Sequence, residues 1–116
     1  MAFEDAFEKL NELDGFQGAA VIGMDTQSVL AQTESTLDMH VAALGWSESV
    51  RLEQQLLERL DVQDFMRVCT LTTRENQHVL MMVPYFDNVV LYAVFHRKVP
   101  YVLFNKYMLD AMDLMV

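Results

Sequence analysis

The sequence predicts an α/β (α+β) fold: one five-stranded, mainly antiparallel sheet between helices, in the order α-β-β-α-β-β-β-α. Three observations carry this. Two consecutive strand-length runs, His78–Val83 and Val89–Phe95, are apolar at odd and even positions alike. A strand with one wet face alternates polar and apolar residues, whereas a strand covered on both faces does not. Three further segments, 2–13, 37–60 and the stretch after Pro100, carry apolar residues at helical spacing. Finally, 116 residues at 53% hydrophobic content fit one domain, 1–116, with a core that needs no staples.

In the first helix, residues 2–13, Phe3, Ala6, Phe7, Leu10 and Leu13 face inward and Glu4, Glu8 and Glu12 face out. Asp14-Gly15 ends it, glycine suiting a left-handed C-terminal position. Gly18–Met24 is a short buried strand. Asp25-Thr26-Gln27 turns the chain, and Ser28–Gln32 returns as its hairpin partner. Glu34-Ser35-Thr36 offers an N-cap for the helix over 37–60. Phe65–Thr73 reads as a third strand, and Arg67 within it is one way an edge strand is kept from pairing at random. Asp87-Asn88 supplies turn chemistry between the two buried strands. Pro100 suits the first position of the last helix, whose narrow polar stripe of Lys106, Asp110 and Asp113 predicts that most of it is covered.

The middle helix has two apolar stripes. Leu37, Val41, Leu44 and Leu52 make one; Met39, Ala43, Trp46, Val50 and Leu57 make the other. A surface helix of a monomer needs one. Two stripes imply two contacts: one with the chain's own sheet and one with a second copy, unless another element of the chain covers the extra face. Trp46, a large aromatic of the type that anchors interfaces, places the self-association on the second stripe.

The net charge of −9, from 17 acids and 8 bases, argues against nucleic acid and anionic membrane as partners. It favours a basic protein surface, or simply keeps a Met-rich chain soluble. No uncharged stretch approaches the roughly 18–20 residues that span a bilayer, so no membrane insertion is expected. Cys69 is the one cysteine and can form no internal disulfide. With a start, Met1-Ala2-Phe3-Glu4-Asp5, that lacks the basic and apolar regions of a signal peptide, this predicts a cytoplasmic protein.

A search for chemistry returns no catalytic, cofactor or metal residues. His40, His78 and His96 have no metal-ligand spacing with one another or with Cys69. None of the four glycines belongs to a phosphate-binding loop. Cys69, between Val68 and Thr70, reads as a small apolar residue rather than a nucleophile. Asp61/Asp64 and Glu4/Glu8 read as solvated charges rather than acid–base pairs. Arg97-Lys98 reads as loop surface, with contact to an acidic partner as the functional alternative. Met81-Met82 and Met108, Met112 and Met115 read as core.

The order of elements, the GAAVIGMD start of the first strand and the run VLMMVPYFDNVVLYAVF near the end resemble the roadblock/LC7 family over nearly the whole chain. Gly18 opens the first strand and Asp25 sits at the first turn, as in that family. Two departures are Thr26, where many members have glycine, and Gly45 inside the middle helix, where glycine costs about 1 kcal/mol relative to alanine. The resemblance implies a homodimer in which middle helices pack together and third strands pair edge to edge. Its interface would comprise Met39, Ala43, Trp46, Val50 and Leu57 with Phe65, Arg67, Cys69 and Leu71. It further implies a non-catalytic scaffold or regulator. Some members bind Ras-like small GTPases, including a bacterial polarity regulator that stimulates its GTPase; others join dynein-type motor or lysosomal signalling complexes. The alternatives are a small-ligand sensor or enzyme of profilin-like build, with a pocket between sheet and helix, and a secretion-type chaperone, against which the strand-strand-helix order weighs.

Overall fold

A computed structural model describes residues 3–116. Eight elements follow the expected order: α1 (Phe3–Asn11), β1 (Phe16–Gly23), β2 (Ser28–Gln32), α2 (Met39–Arg59), β3 (Val68–Thr72), β4 (Asn76–Met82), β5 (Val89–His96) and α3 (Tyr101–Asp113). The strands form one antiparallel sheet in the order β2-β1-β5-β4-β3. Strand β5 is therefore central, and Val90 to Phe95 are all buried. The unbroken apolar run follows from that position, since neither face of β5 meets water.

Alternation divides the sheet between two cores. Ala19, Val21, Val79, Met81, Leu91, Ala93 and Phe95 face α1 and α3. Ala20, Ile22, Leu80, Val90, Tyr92 and Val94 face α2. A slip of one residue in any central strand would exchange the two sets, so their different shapes hold the register.

Local chemistry sets the connections. Gly15 has φ +99°, and a Cβ there would lie 2.6 Å from Cγ2 of Val99, so only glycine fits where α1 turns into β1. Asp38 caps α2: its Oδ1 accepts from the backbone N–H of His40 at 3.0 Å and of Val41 at 3.2 Å. The cap expected from Glu34-Ser35-Thr36 falls just outside the helix, where Ser35 Oγ accepts from the Leu37 N–H. Helix α2 runs unbroken through Gly45.

Three expectations are corrected. Strand β3 is shorter than Phe65–Thr73 and starts at Val68, leaving Phe65 and Arg67 in the segment before it. Pro100 is the N-cap of α3 and not its first helical residue. Helix α3 is covered on one side only. Phe104, Met108, Ala111 and Met112 are buried, while Tyr101, Val102 and Leu109 are exposed. It shares its layer with α1, so a single flank of α3 meets the sheet and the other meets solvent.

Candidate functional site

The surface that stands out lies between the outer face of α2 and the free edge of β3. The two stripes of α2 are assigned the opposite way from the expectation. Met39 (1% exposed) and Ala43 (0%) are buried against the chain's own sheet. Trp46 and Val50 pack on the same core, half-buried. Met39 and Ala43, buried in the chain's own core, are therefore not accessible to a second copy, whereas Trp46 and Val50 keep part of their surface exposed. The other stripe is the free one: Val41 is 63% exposed, Leu52 53% and Leu56 56%, with Leu37 and Leu44 beside them.

The inward stripe carries two small residues, Ala43 and Ser47, among larger ones. Ala43 belongs to the core under α2, and Ser47 returns its hydroxyl to the Ala43 carbonyl at 2.6 Å, which satisfies a buried polar group. Their small size lets α2 sit close to the sheet. Leucines at those positions would hold it off. The pair Ala43 and Ser47 was the signal in the sequence that pointed inward, and the hydropathy wheel alone could not weigh it.

Strand β3 pairs with β4 alone, so its outer backbone groups have no strand beside them. Cys69 and Leu71 pair with Leu80 and His78, which puts them on the α2 side of the sheet. Leu71 is exposed and Cys69 half-buried. Phe65 is exposed ahead of the strand; so is Arg67, whose carbonyl accepts from the Met82 N–H at 2.9 Å and extends the ladder by one bond. Of the nine expected interface residues, Leu57, Phe65 and Cys69 thus line one open groove of about 360 Å³ with Glu53, Leu56, Asp64, Met66 and Val68. Arg67, just before β3, and Leu71, within it, are not among the lining residues.

Glu53 gives this groove its one electrostatic peculiarity. Its Oε1 lies 3.7 Å from Cys69 Sγ, while its buried Oε2 has no hydrogen-bond partner. An unpaired buried carboxylate oxygen is unfavourable. Burial, then the negative charge of Glu53, push the Cys69 thiol above its ordinary value of 9.0. This is the opposite of what a nucleophilic cysteine needs.

The histidines are dispersed. His40 is exposed on α2. His96 Nδ1 accepts from the Lys98 N–H at the end of β5. His78 shares a 2.7 Å hydrogen bond with the Tyr92 hydroxyl under α2, and burial lowers its pKa from 6.5. Among the described residues no group of three or more His, Cys, Asp or Glu is placed to hold a metal ion. No described helix is long and apolar enough to cross a membrane. Arg97 and Lys98 are exposed, as are Asp61, Asp64, Glu4 and Glu8.

The architecture, a single antiparallel sheet with α2 on one face and α1 and α3 on the other, is the roadblock/LC7 fold. Three solved structures show the likeness. Myxococcus xanthus MglB superposes with a TM-score of 0.85 at 12% identity, over 98% of this chain and 84% of that one. The roadblock/LC7 domain from Streptomyces avermitilis gives 0.79 at 12% identity, over 92% and 88%. A structure described as MglB with tetrameric arrangement gives 0.78 at 18% identity, over 97% and 85%. No family model matches the sequence, and no curated protein does. The fold is thus shared at identities too low for sequence comparison to detect.

Proposed function

We propose that this protein is a non-catalytic cytoplasmic scaffold that works as a homodimer and presents a joint surface to a second protein. The observation that carries this reading is an exposed apolar row on α2 whose Leu56 end shares a groove with Val68 and Cys69 of β3, a strand paired on one side alone. Each alone is a liability in water: apolar patches associate and free edges pair. A second copy, related by a twofold axis, covers both at once with the same surface. The tetrameric arrangement named for one structural neighbour supports self-association as something this fold accommodates.

For the second protein, the roadblock/LC7 resemblance points to a Ras-like small GTPase, and the net charge of −9 favours a partner with a basic surface. The chain then acts by presentation: it positions the partner and performs no bond chemistry.

Sedimentation equilibrium tests the dimer. The wild type is expected at twice its 13.4 kDa chain mass. Val41→Glu with Leu52→Glu is expected to return it to a single chain with an unchanged far-ultraviolet spectrum, because both side chains project from the fold. A wild type that stays a single chain at every concentration overturns the reading. Titration with a purified small GTPase, in its two nucleotide states, tests the partner; no binding in either state removes that half of the proposal.

A further inference from the structure

We propose that the groove between α1 and the β2 edge of the sheet docks an extended, arginine-bearing segment of a second protein. This builds on the partner with a basic surface proposed above and names the place on the chain that receives it.

The charge of the chain is unevenly spread. Residues 1–34 hold seven of the 17 acids and one of the eight bases, Lys9, so two thirds of the net charge of −9 comes from less than a third of the chain. Lys9 is already engaged: its Nζ lies 3.6 Å from the Glu12 carboxylate and 5.0 Å from the centre of the Tyr107 ring. Glu4, Asp5 and Glu8 of α1 are exposed, and so is Glu34 just beyond β2. Among the described residues none of these four carboxylates has an ion-pair partner.

Two of them border an apolar hollow. Phe7 of α1 and Phe16 of β1, both half-buried, line an open groove of about 480 Å³ together with Glu8 and Glu34. The rings are fixed by the fold: Phe16 packs on Phe95 with centroids 5.9 Å apart, and Phe7 rests on the core beneath α1. Aromatic walls beside exposed carboxylates suit a guanidinium, whose plane stacks on a ring while its N–H fork meets the acids. A patch of acids alone would take any cation; the rings favour one with a flat, weakly hydrated face.

The strand beside the groove sets the form of the segment. Strand β2 pairs with β1 alone and is the second free edge of the sheet. Thr33 and Glu34, which continue the chain from β2, also line the groove. A segment extended along β2 makes backbone bonds to that edge and turns every second side chain toward the α1 face. The site stays open in the proposed homodimer, because α1 lies on the face opposite α2 and β2 at the opposite edge from β3. A second copy is a poor occupant, since two surfaces of the same negative sign repel.

Fluorescence anisotropy with a short labelled peptide alternating arginine and valine tests this, with lysine and glutamate versions beside it. The arginine peptide is expected to bind most tightly, the lysine peptide more weakly and the glutamate peptide not at all, and affinity should fall as salt is raised. Glu8→Lys with Glu34→Lys is expected to weaken the arginine peptide about tenfold or more, with an unchanged circular dichroism spectrum because both side chains are exposed. Glu58→Lys with Asp87→Lys changes the net charge equally, on α2 and in the β4–β5 loop, and is expected to keep the affinity within about twofold. Equal weakening by the two pairs means diffuse charge attraction and overturns the proposal. So does a wild type that ignores the arginine peptide or binds the lysine one equally well. A fall in the mass of the peptide-free protein on Glu8→Lys with Glu34→Lys makes the occupant a second copy and overturns it too. Failure of the small-GTPase titration removes that partner and leaves the groove, whereas a dimer that ignores the peptide loses the groove and keeps the homodimer, so the failures are distinct.

Discussion

Trp46 of α2 lies over Tyr92 of β5 with ring centroids 5.6 Å apart and ring planes inclined at 49°. His78 stacks on the same tyrosine at 6.0 Å. The aromatic expected at a subunit contact is therefore a clamp between the helix and its own sheet. Tyr92 is the shared member, and burial pushes its hydroxyl above the ordinary value of 10.0.

Trp46→Ala is accordingly expected to destabilise the fold. Removal of a large buried aromatic costs about 3–5 kcal/mol, and the half-buried setting here lowers this to about 2 kcal/mol. Urea denaturation monitored by circular dichroism measures it. A loss below about 0.5 kcal/mol, the size of an ordinary surface change, would show that the clamp contributes little.

Acid should loosen the same cluster. The folded pKa of His78 is lowered from 6.5 by burial. The unfolded chain therefore binds this proton more readily than the folded one. The contribution is fully present above pH 6.5 and is lost as pH falls through the lowered value in the fold. Protonation also turns Nδ1 from a potential acceptor into a donor, so the Tyr92 hydroxyl must turn with it. Melting temperatures between pH 7.5 and 5 should fall more steeply for the wild type than for His78→Gln. Parallel curves would refute the assignment.

Cys69 should be a slow thiol. Its raised pKa keeps the thiolate scarce near neutrality, and the adjacent Glu53 adds to this. Alkylation by iodoacetamide at pH 8 is expected to be slower than for an unstructured peptide thiol. Glu53→Gln removes the negative charge and should speed the reaction. An unchanged rate in that variant would mean that burial alone sets the reactivity.

Asp38 should matter to α2 out of proportion to its exposure. One carboxylate oxygen serves two backbone donors, those of His40 and Val41. Asp38→Ala is expected to cost about 1 kcal/mol and Asp38→Asn much less, since asparagine caps equally well. Thermal unfolding of the two variants side by side separates cap from charge.

The order of elements, the two-sided covering of β5 and the edge position of β3 were legible because they follow from period and run length, which the sequence displays directly. The direction in which α2 faces was not. A helical wheel shows that two stripes exist, yet both are apolar, and the more hydrophobic of them is the one left outside. The inner stripe is the one with the two small residues, Ala43 and Ser47, which are buried with Met39. The same limit explains α3, where a nearly continuous apolar sequence predicted that most of the helix is covered and geometry gave it one covered flank. The Glu53–Cys69 contact joins residues 16 positions apart in chain order, on a helix and a strand. No local pattern announces it.

The layering of the helices has a practical corollary. Helices α1 and α3, the first and last elements, pack side by side on the face of the sheet opposite α2. A tether or label attached beyond either of them would therefore emerge on the far side from Val41, Gly45 and Leu52. The chain can be anchored to a sensor surface from both directions while that row stays open to whatever is flowed across it.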